Sequence, residues 1–258
     1  MSRTLSGCRI LLTRPEGQVE PLAARLREQG AQVSHFPAIQ ITLTPSDSTA
    51  QALVEQATLV IFVSTNAVRG LMAGSDQLVQ TVRNVSMIAA IGPATEAALE
   101  QAGLKPGIVA PPPHNSEALL STPFLQDLKH HRVVIVRGQS GREKLAEELC
   151  NRGAEVHYLE VYRRDPPDRT LSLKETSGGF PDVICVTSVE IATNLRECIA
   201  PEEKDDLLGC VLIAGNARIA TACQNLGYTA LHGVADNPGD DAMLEALNAY
   251  FSPEPPIS

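Results

Sequence analysis

No two of the six cysteines, at positions 8, 150, 185, 198, 210 and 223, stand in a C-x-x-C pair, and the six histidines show neither H-x-x-x-H nor H-E-x-x-H spacing. Sequence neighbours therefore assemble no metal site, and no metal is expected. Four of the cysteines sit in or beside apolar stretches, as reduced core thiols do. No apolar run approaches a membrane span, and none of signal-peptide length follows Met1 to Arg9, so a cytoplasmic chain without a membrane partner is expected. Basic charge is also in short supply. Against 30 Asp and Glu stand 21 Lys and Arg, a net charge of −9, which disfavours non-specific binding to nucleic acid or anionic lipid. Any anionic ligand must be gripped locally. Walker A and G-x-G-x-x-G are missing; Arg137-Gly138-Gln139-Ser140-Gly141-Arg142 is too short and irregular for a nucleotide fingerprint and reads as a turn capping a helix. There is no G-x-S-x-G elbow, no carboxylate pair distinct from surface charge, and no acidic strand end of the phosphoacceptor type. Nucleophilic and metal catalysis are not expected.

What is present is apolar mass and a repeat. With 258 residues, 43% of them hydrophobic, the chain can bury the surface of one large or two small domains. The segment Leu11 to Val33 matches Val134 to Val156 without a gap, Arg14 falling on Arg137 at an offset of 123. The same offset pairs Leu22 with Leu145, Gly30 with Gly153, Val60-Ile61 with Val183-Ile184, and Gly92 with Gly215. Short β-branched runs at 10–13, 59–63 and 87–91 have the length and composition of buried strands, each followed by a helical pattern. One helical face carries Val19, Leu22, Ala23 and Leu26, with Gly30 placed to cap its end. Strands alternating with helices predict an α/β, doubly wound fold with parallel sheets.

The stretch 37–45 and its partner 159–167 alternate along their length, as a strand pair outside the main sheets would. As two linkers they divide the chain into a discontinuous first lobe, 1–36 with 167–258, and a second lobe, 46–156, with linker strands at 37–45 and 157–166. A simpler cut near residue 125 is also compatible. Pro111-Pro112-Pro113 reads as a loop inside the second lobe. The tail 252–258 is expected to be disordered.

In doubly wound sheets ligands bind beyond the carboxyl ends of the strands. There the chain offers Thr13-Arg14, Ser64-Thr65-Asn66, Gly92-Pro93-Ala94-Thr95, Ser116-Glu117, Arg137-Gly138, Thr187-Ser188 and Gly215-Asn216, each before a helix. Free N–H groups and the positive end of the helix dipole suit carboxylate or phosphate groups. Ser, Thr and Asn at helix starts are also ordinary N-caps. Arg14 and Arg137, being equivalent in the repeat, either hold ligand carboxylates or form a structural ion pair in each copy.

Five motifs, L-L-T-R-P-E at 11–16, I-F-V-S-T-N-A-V at 61–68, A-I-G-P-A-T-E-A-A-L at 90–99, S-E-A-L-L at 116–120 and L-E-V-Y-R-R at 159–164, occur in an order and spacing that resembles the uroporphyrinogen-III synthase family nearly end to end. The resemblance implies two flavodoxin-like lobes joined by a two-stranded linker with a cleft between them. It also implies conversion of hydroxymethylbilane to uroporphyrinogen III, with loss of water and inversion of the last pyrrole ring, by a monomer that uses no cofactor. The partner would be a linear tetrapyrrole polycarboxylate, with transient contact to the preceding pathway enzyme. By motif, the family's linker tyrosine falls on Tyr162, a candidate general acid for the departing hydroxyl. Arg14, Ser64, Thr95, Ser116, Arg137, Thr187, Ser188 and Asn216 are the substrate-binding candidates. The second copy departs from the family's G-P-x-T with Gly215-Asn216-Ala217-Arg218. Two rivals come from other classes: a two-lobed small-molecule sensor of the periplasmic-binding type and a nucleotide-sugar transferase.

Overall fold

The computed structural model describes residues 5–44, 48–139, 141, 143–176 and 179–252. The chain opens with strand β1 (Arg9–Leu12), helix α1 (Glu20–Glu28) and strand β2 (Gln32–His35). Next come β3 (Gln40–Leu43), α2 (Ser48–Glu55), β4 (Leu59–Phe62), α3 (Thr65–Met72), α4 (Asp76–Arg83) and β5 (Met87–Ala90). They are followed by α5 (Pro93–Gln101), β6 (Ile108–Val109), α6 (Ser116–Leu120), β7 (Arg132–Gly138), α7 (Lys144–Asn151) and β8 (Glu155–Asp165). The remainder holds β9 (Val183–Val186), α8 (Val189–Cys198), α9 (Lys204–Gly209), β10 (Leu212–Ala214), α10 (Ala217–Asn225), β11 (Leu231–Val234) and α11 (Asp240–Phe251). The chain divides into two compact units, one of residues 1–40 with 165–258 and one of residues 41–164.

The first unit carries a parallel sheet in the order β11-β10-β9-β1-β2. Its central strands, Arg9–Leu12 and Val183–Val186, are apolar at almost every position because helices cover both faces. Proline near its start and Glu20 in the first turn favour α1, whose Leu22, Ala23 and Leu26 pack on Ile10, Leu12, Met243 and Leu247. Gly30 ends that helix at φ +86, a conformation that a side chain disfavours. Between β8 and β9 the chain is tied down by a buried acid: Glu203 accepts the Leu173 N–H at 2.5 Å and the Ser172 hydroxyl at 3.2 Å.

The second unit has the order β3-β8-β7-β4-β5-β6. Within it, β8-β7-β4-β5-β6 repeats the order of the first unit, so the α/β, parallel-sheet reading and the duplication both hold. The repeat register needs one correction. Val183 pairs with Ile10 and Leu59 with Val133, so with Ile10 and Val133 equivalent at 133 − 10 = 123, the next strands are equivalent at 183 − 59 = 124. Val60-Ile61 is therefore not the counterpart of Val183-Ile184. The strands are buried on both faces, and a uniformly apolar run carries no alternation to fix its register.

A second correction concerns the stretches expected to lie outside the sheets. β3 and β8 are strands of the second unit's sheet, with the Thr44 N–H donating to the Val161 carbonyl at 2.9 Å. Leu159 and Val161 are buried with Phe62 and Val136, an apolar face that the sheet's own core covers. Pro45, the end of the first stretch, and residues 253–258 of the tail lie outside the described residues; Ser252 caps α11. The five cysteines from Cys150 to Cys223 are free, and burial pushes the thiols of Cys198, Cys210 and Cys223 up to about 11 and that of Cys185 to about 12. Among the described residues no helix is long and apolar enough to cross a membrane.

Candidate functional site

In the second unit the strand order reverses between β7 and β4, the place where doubly wound sheets leave a crevice. A cavity of about 330 Å³ lies there, lined by Ser64 after β4, Arg137 and Gly138 at the end of β7, Ser116 at the start of α6, and Tyr158, Tyr162 and Arg164 on β8. Val63, Ile135 and Leu145 supply its apolar wall. The charged groups of this lining are guanidiniums. Four of the sequence-predicted residues, Ser64, Ser116, Arg137 and Tyr162, are thus brought together.

Local chemistry fixes each of them. Ser64 is the N-cap of α3, its Oγ accepting the Ala67 N–H at 3.1 Å, and the same oxygen lies 3.2 Å from the Tyr162 hydroxyl. Tyr162 is only 3% exposed, its ring sunk into the core with Phe62 and Val136. The ladder between β7 and β8 shifts register at Arg137/Gly138, which sets Gly138 opposite Tyr162. A methyl group at Gly138 would lie 2.7 Å from Tyr162 Cε2. Gly138→Ala is therefore expected to displace the ring, costing about 2 kcal/mol by overpacking and lowering activity together with stability. Denaturant titration checks this, and a parental midpoint would show that the ring does not rest on Gly138.

Arg137 is buried. Its Nε donates to the Gly138 carbonyl at 3.1 Å, its Nη1 to Glu143 at 3.2 Å, and its guanidinium stacks 4.4 Å from the centre of the Tyr158 ring. The Tyr158 hydroxyl donates to the other oxygen of Glu143. Desolvation and that bond to a carboxylate push Tyr158 up to about 12; the Tyr158 bond and then Arg137 hold Glu143 below the usual carboxylate range. Tyr158, Arg164 and Glu143 were absent from the expected site. Tyr158 has the same alternation signal as Tyr162, but a half-exposed strand tyrosine is not distinctive in a sequence.

Ser116 joins the lining as the first residue of α6, whose cap is Asn115. The other candidates lie elsewhere. Thr95 is buried in the first turn of α5 and does not line the cavity. In the first unit, Ser188 and Asn216 are side-chain N-caps of α8 and α10, and Thr187 precedes the first of these. Gly92 and Asn216 are the corresponding caps, so the pairing of Gly92 with Gly215 is shifted by one like that of the strands before them. Arg14 is held by Asp240 and by the Pro238 carbonyl at 2.7 Å. Each of the paired arginines thus has an ion pair, with a partner from a different place in the repeat. Among the described residues no cluster of three or more His, Cys, Asp or Glu is arranged to hold a metal.

Comparison with known proteins gives one consistent neighbourhood. The family model described as uroporphyrinogen-III synthase HemD matches residues 20–245. Uroporphyrinogen-III synthase of Escherichia coli K12 is 30% identical over 247 residues, covering 92% of this chain and 99% of the relative. The Salmonella typhimurium protein of the same name is 34% identical over 253 residues, again covering 92% and 99%. Among solved structures, the uroporphyrinogen-III synthetase of Helicobacter pylori superposes with a TM-score of 0.65 at 17% identity, covering 94% of this chain and 99% of that one. A mutant synthase from Thermus thermophilus gives 0.57 at 20% identity, covering 95% and 98%. These two likenesses bear on the fold.

Proposed function

The chain belongs to the uroporphyrinogen-III synthase family of tetrapyrrole biosynthesis, and from that premise we propose the reaction it runs: closure of hydroxymethylbilane to uroporphyrinogen III with inversion of the terminal ring and loss of water, a hydro-lyase step. The observation that carries the reading is the Tyr162 hydroxyl, 3.2 Å from Ser64 Oγ, in the wall of a cavity whose charged lining residues are arginines. The substrate is a polycarboxylate. Arg137 and Arg164 offer its acetate and propionate arms opposite charge, and Ser64 and Ser116 offer hydroxyls. Tyr162 acts as the general acid: its phenol gives a proton to the departing hydroxyl, which leaves as water and creates an electron-poor terminal carbon. Orientation then decides the isomer, since the terminal ring must present its substituted carbon for closure.

Ser188, Thr187 and Asn216 belong to the same reading as further contacts for carboxylate arms, at strand ends of the first unit, and Thr95 as one in the second, whereas Arg14 is engaged by Asp240 and the Pro238 carbonyl. A cytoplasmic monomer that works without a cofactor and meets the preceding enzyme transiently suits an unstable linear substrate. The sensor and nucleotide-sugar transferase readings gain nothing from relatives that match nearly end to end and are named synthases. Incubation with freshly generated hydroxymethylbilane, followed by separation of the isomers, tests the proposal. Type III product is expected, and exclusive type I product would overturn it.

A further inference from the structure

Arg14 and Arg137 occupy equivalent places in the repeat but are held differently. The Arg14 guanidinium spends Nη1 on Asp240 and the Gln18 carbonyl and Nη2 on the Pro238 carbonyl, so both of its terminal nitrogens are engaged by the first unit's own chain. Arg137 is more deeply buried, with a side chain 7% exposed, yet its hydrogen bonds to Gly138 and Glu143 leave from Nε and Nη1. Neither uses Nη2. That nitrogen faces the bare Cα of Gly141, where a methyl group would lie 2.8 Å from it, and both residues line the cavity. A buried guanidinium with an unspent donor on a cavity wall is a receptor for an acceptor from outside the chain.

Its one counter-charge among the described residues, Glu143, is poorly committed. The contact is a single N–H···O bond of 3.2 Å, and the carboxylate side chain is 57% exposed, anchored on its far oxygen by the Tyr158 hydroxyl. Half-exposed, single-point ion pairs contribute little. A buried cation without any counter-charge would nonetheless be costly in the ligand-free protein. These two facts are reconciled if the carboxylate is a stand-in.

We propose that Glu143 is a place-holder on Arg137: it neutralises the guanidinium while the cavity is empty and is displaced from Nη1 by a carboxylate arm of the substrate, which takes Nη1 and Nη2 together. Glu143 is thereby a positioning residue that sets how tightly this socket takes an acid arm. The inference rests on the synthase reading of the same cavity. Stacking on Tyr158 keeps the guanidinium plane fixed during the exchange, so the incoming carboxylate meets a preset fork.

Steady-state kinetics with hydroxymethylbilane on the full chain, run on Glu143→Gln and Glu143→Asp, tests it. A place-holder competes with the substrate, so removing its charge or shortening its reach lowers KM in both variants, by about threefold, the size expected for a weak exposed pair. A fall in Glu143→Gln alone would mean a bulk charge effect, and an unchanged or raised KM in both would mean a purely structural acid; either overturns the proposal. Calorimetry with the stable octacarboxylate uroporphyrin III reads the same exchange as a lower Kd in both variants and does not require turnover. A parental protein that produced no type III isomer would sink the synthase reading, while the calorimetric comparison would still decide the place-holder.

Discussion

Tyr162→Phe is expected to lower kcat about 100-fold, the lower end of what a positioned general acid contributes, while changing the stability of the fold by no more than about 1 kcal/mol. Separation of the two effects follows from the contacts. Ring burial against Gly138, Phe62 and Val136 is kept by phenylalanine, and Ser64 retains the Ala67 N–H that it caps. Only the hydroxyl is lost. A hundredfold loss corresponds to about 2.7 kcal/mol of barrier, more than the loss of one neutral hydrogen bond to Ser64 explains. Turnover at saturating hydroxymethylbilane measures it, with the thermal midpoint as control. An unchanged kcat would remove Tyr162 from the chemistry and leave it a packing residue.

Replacing Glu203 by alanine should destabilise the protein by about 3 kcal/mol, since it removes charged hydrogen bonds and strands a buried N–H. The acid is 2% exposed and holds the Leu173 N–H and the Ser172 hydroxyl, with Lys174 Nζ at 3.7 Å. Leu173 is fully buried, so its N–H finds no water when the acceptor disappears. Glu203→Gln keeps one carbonyl oxygen and is expected to lose about half as much. Urea titration of both variants decides the matter. A loss below about 1 kcal/mol for alanine would show that the 171–174 segment is held by its bridge between Leu171 and Ile199 instead.

These two residues mark what a single sequence discloses. Tyr162 stands in a motif, and its neighbours Ser64, Ser116 and Arg137 were legible because strand ends and helix starts are the places where this fold class concentrates polar groups. Glu203 was not legible. In Pro201-Glu202-Glu203-Lys204-Asp205-Asp206 it looks like one charge on a solvated turn, and only the chain 30 residues earlier folding over it makes it internal. Glu143 was hidden for a related reason: its importance lies in the burial of Arg137 and the reach of Tyr158, and neither follows from spacing. The repeat was visible as far as its first helix and second strand, where an amphipathic face and Gly30 pin the alignment. Beyond that, strands apolar at every position slid by one residue without penalty in the pattern. The same ambiguity exchanged Gly215 for Asn216 as the counterpart of Gly92, since a cap is fixed by where its helix begins.

Strand β1 lies between β2 and β9, yet β9 starts 183 − 12 = 171 residues after Leu12. At translation rates of about 5–20 residues per second, the ribosome takes roughly 10–35 s to deliver it. Throughout that interval Arg9–Leu12 has one bare edge, whereas the strands of residues 41–164 all find neighbours within that stretch. Synthesis thus imposes a schedule, with the interior segment free to close early and the flanking one kept waiting. A message truncated soon after codon 164 would release a polypeptide with an unmatched β edge, the type of surface that invites mispairing and draws chaperones.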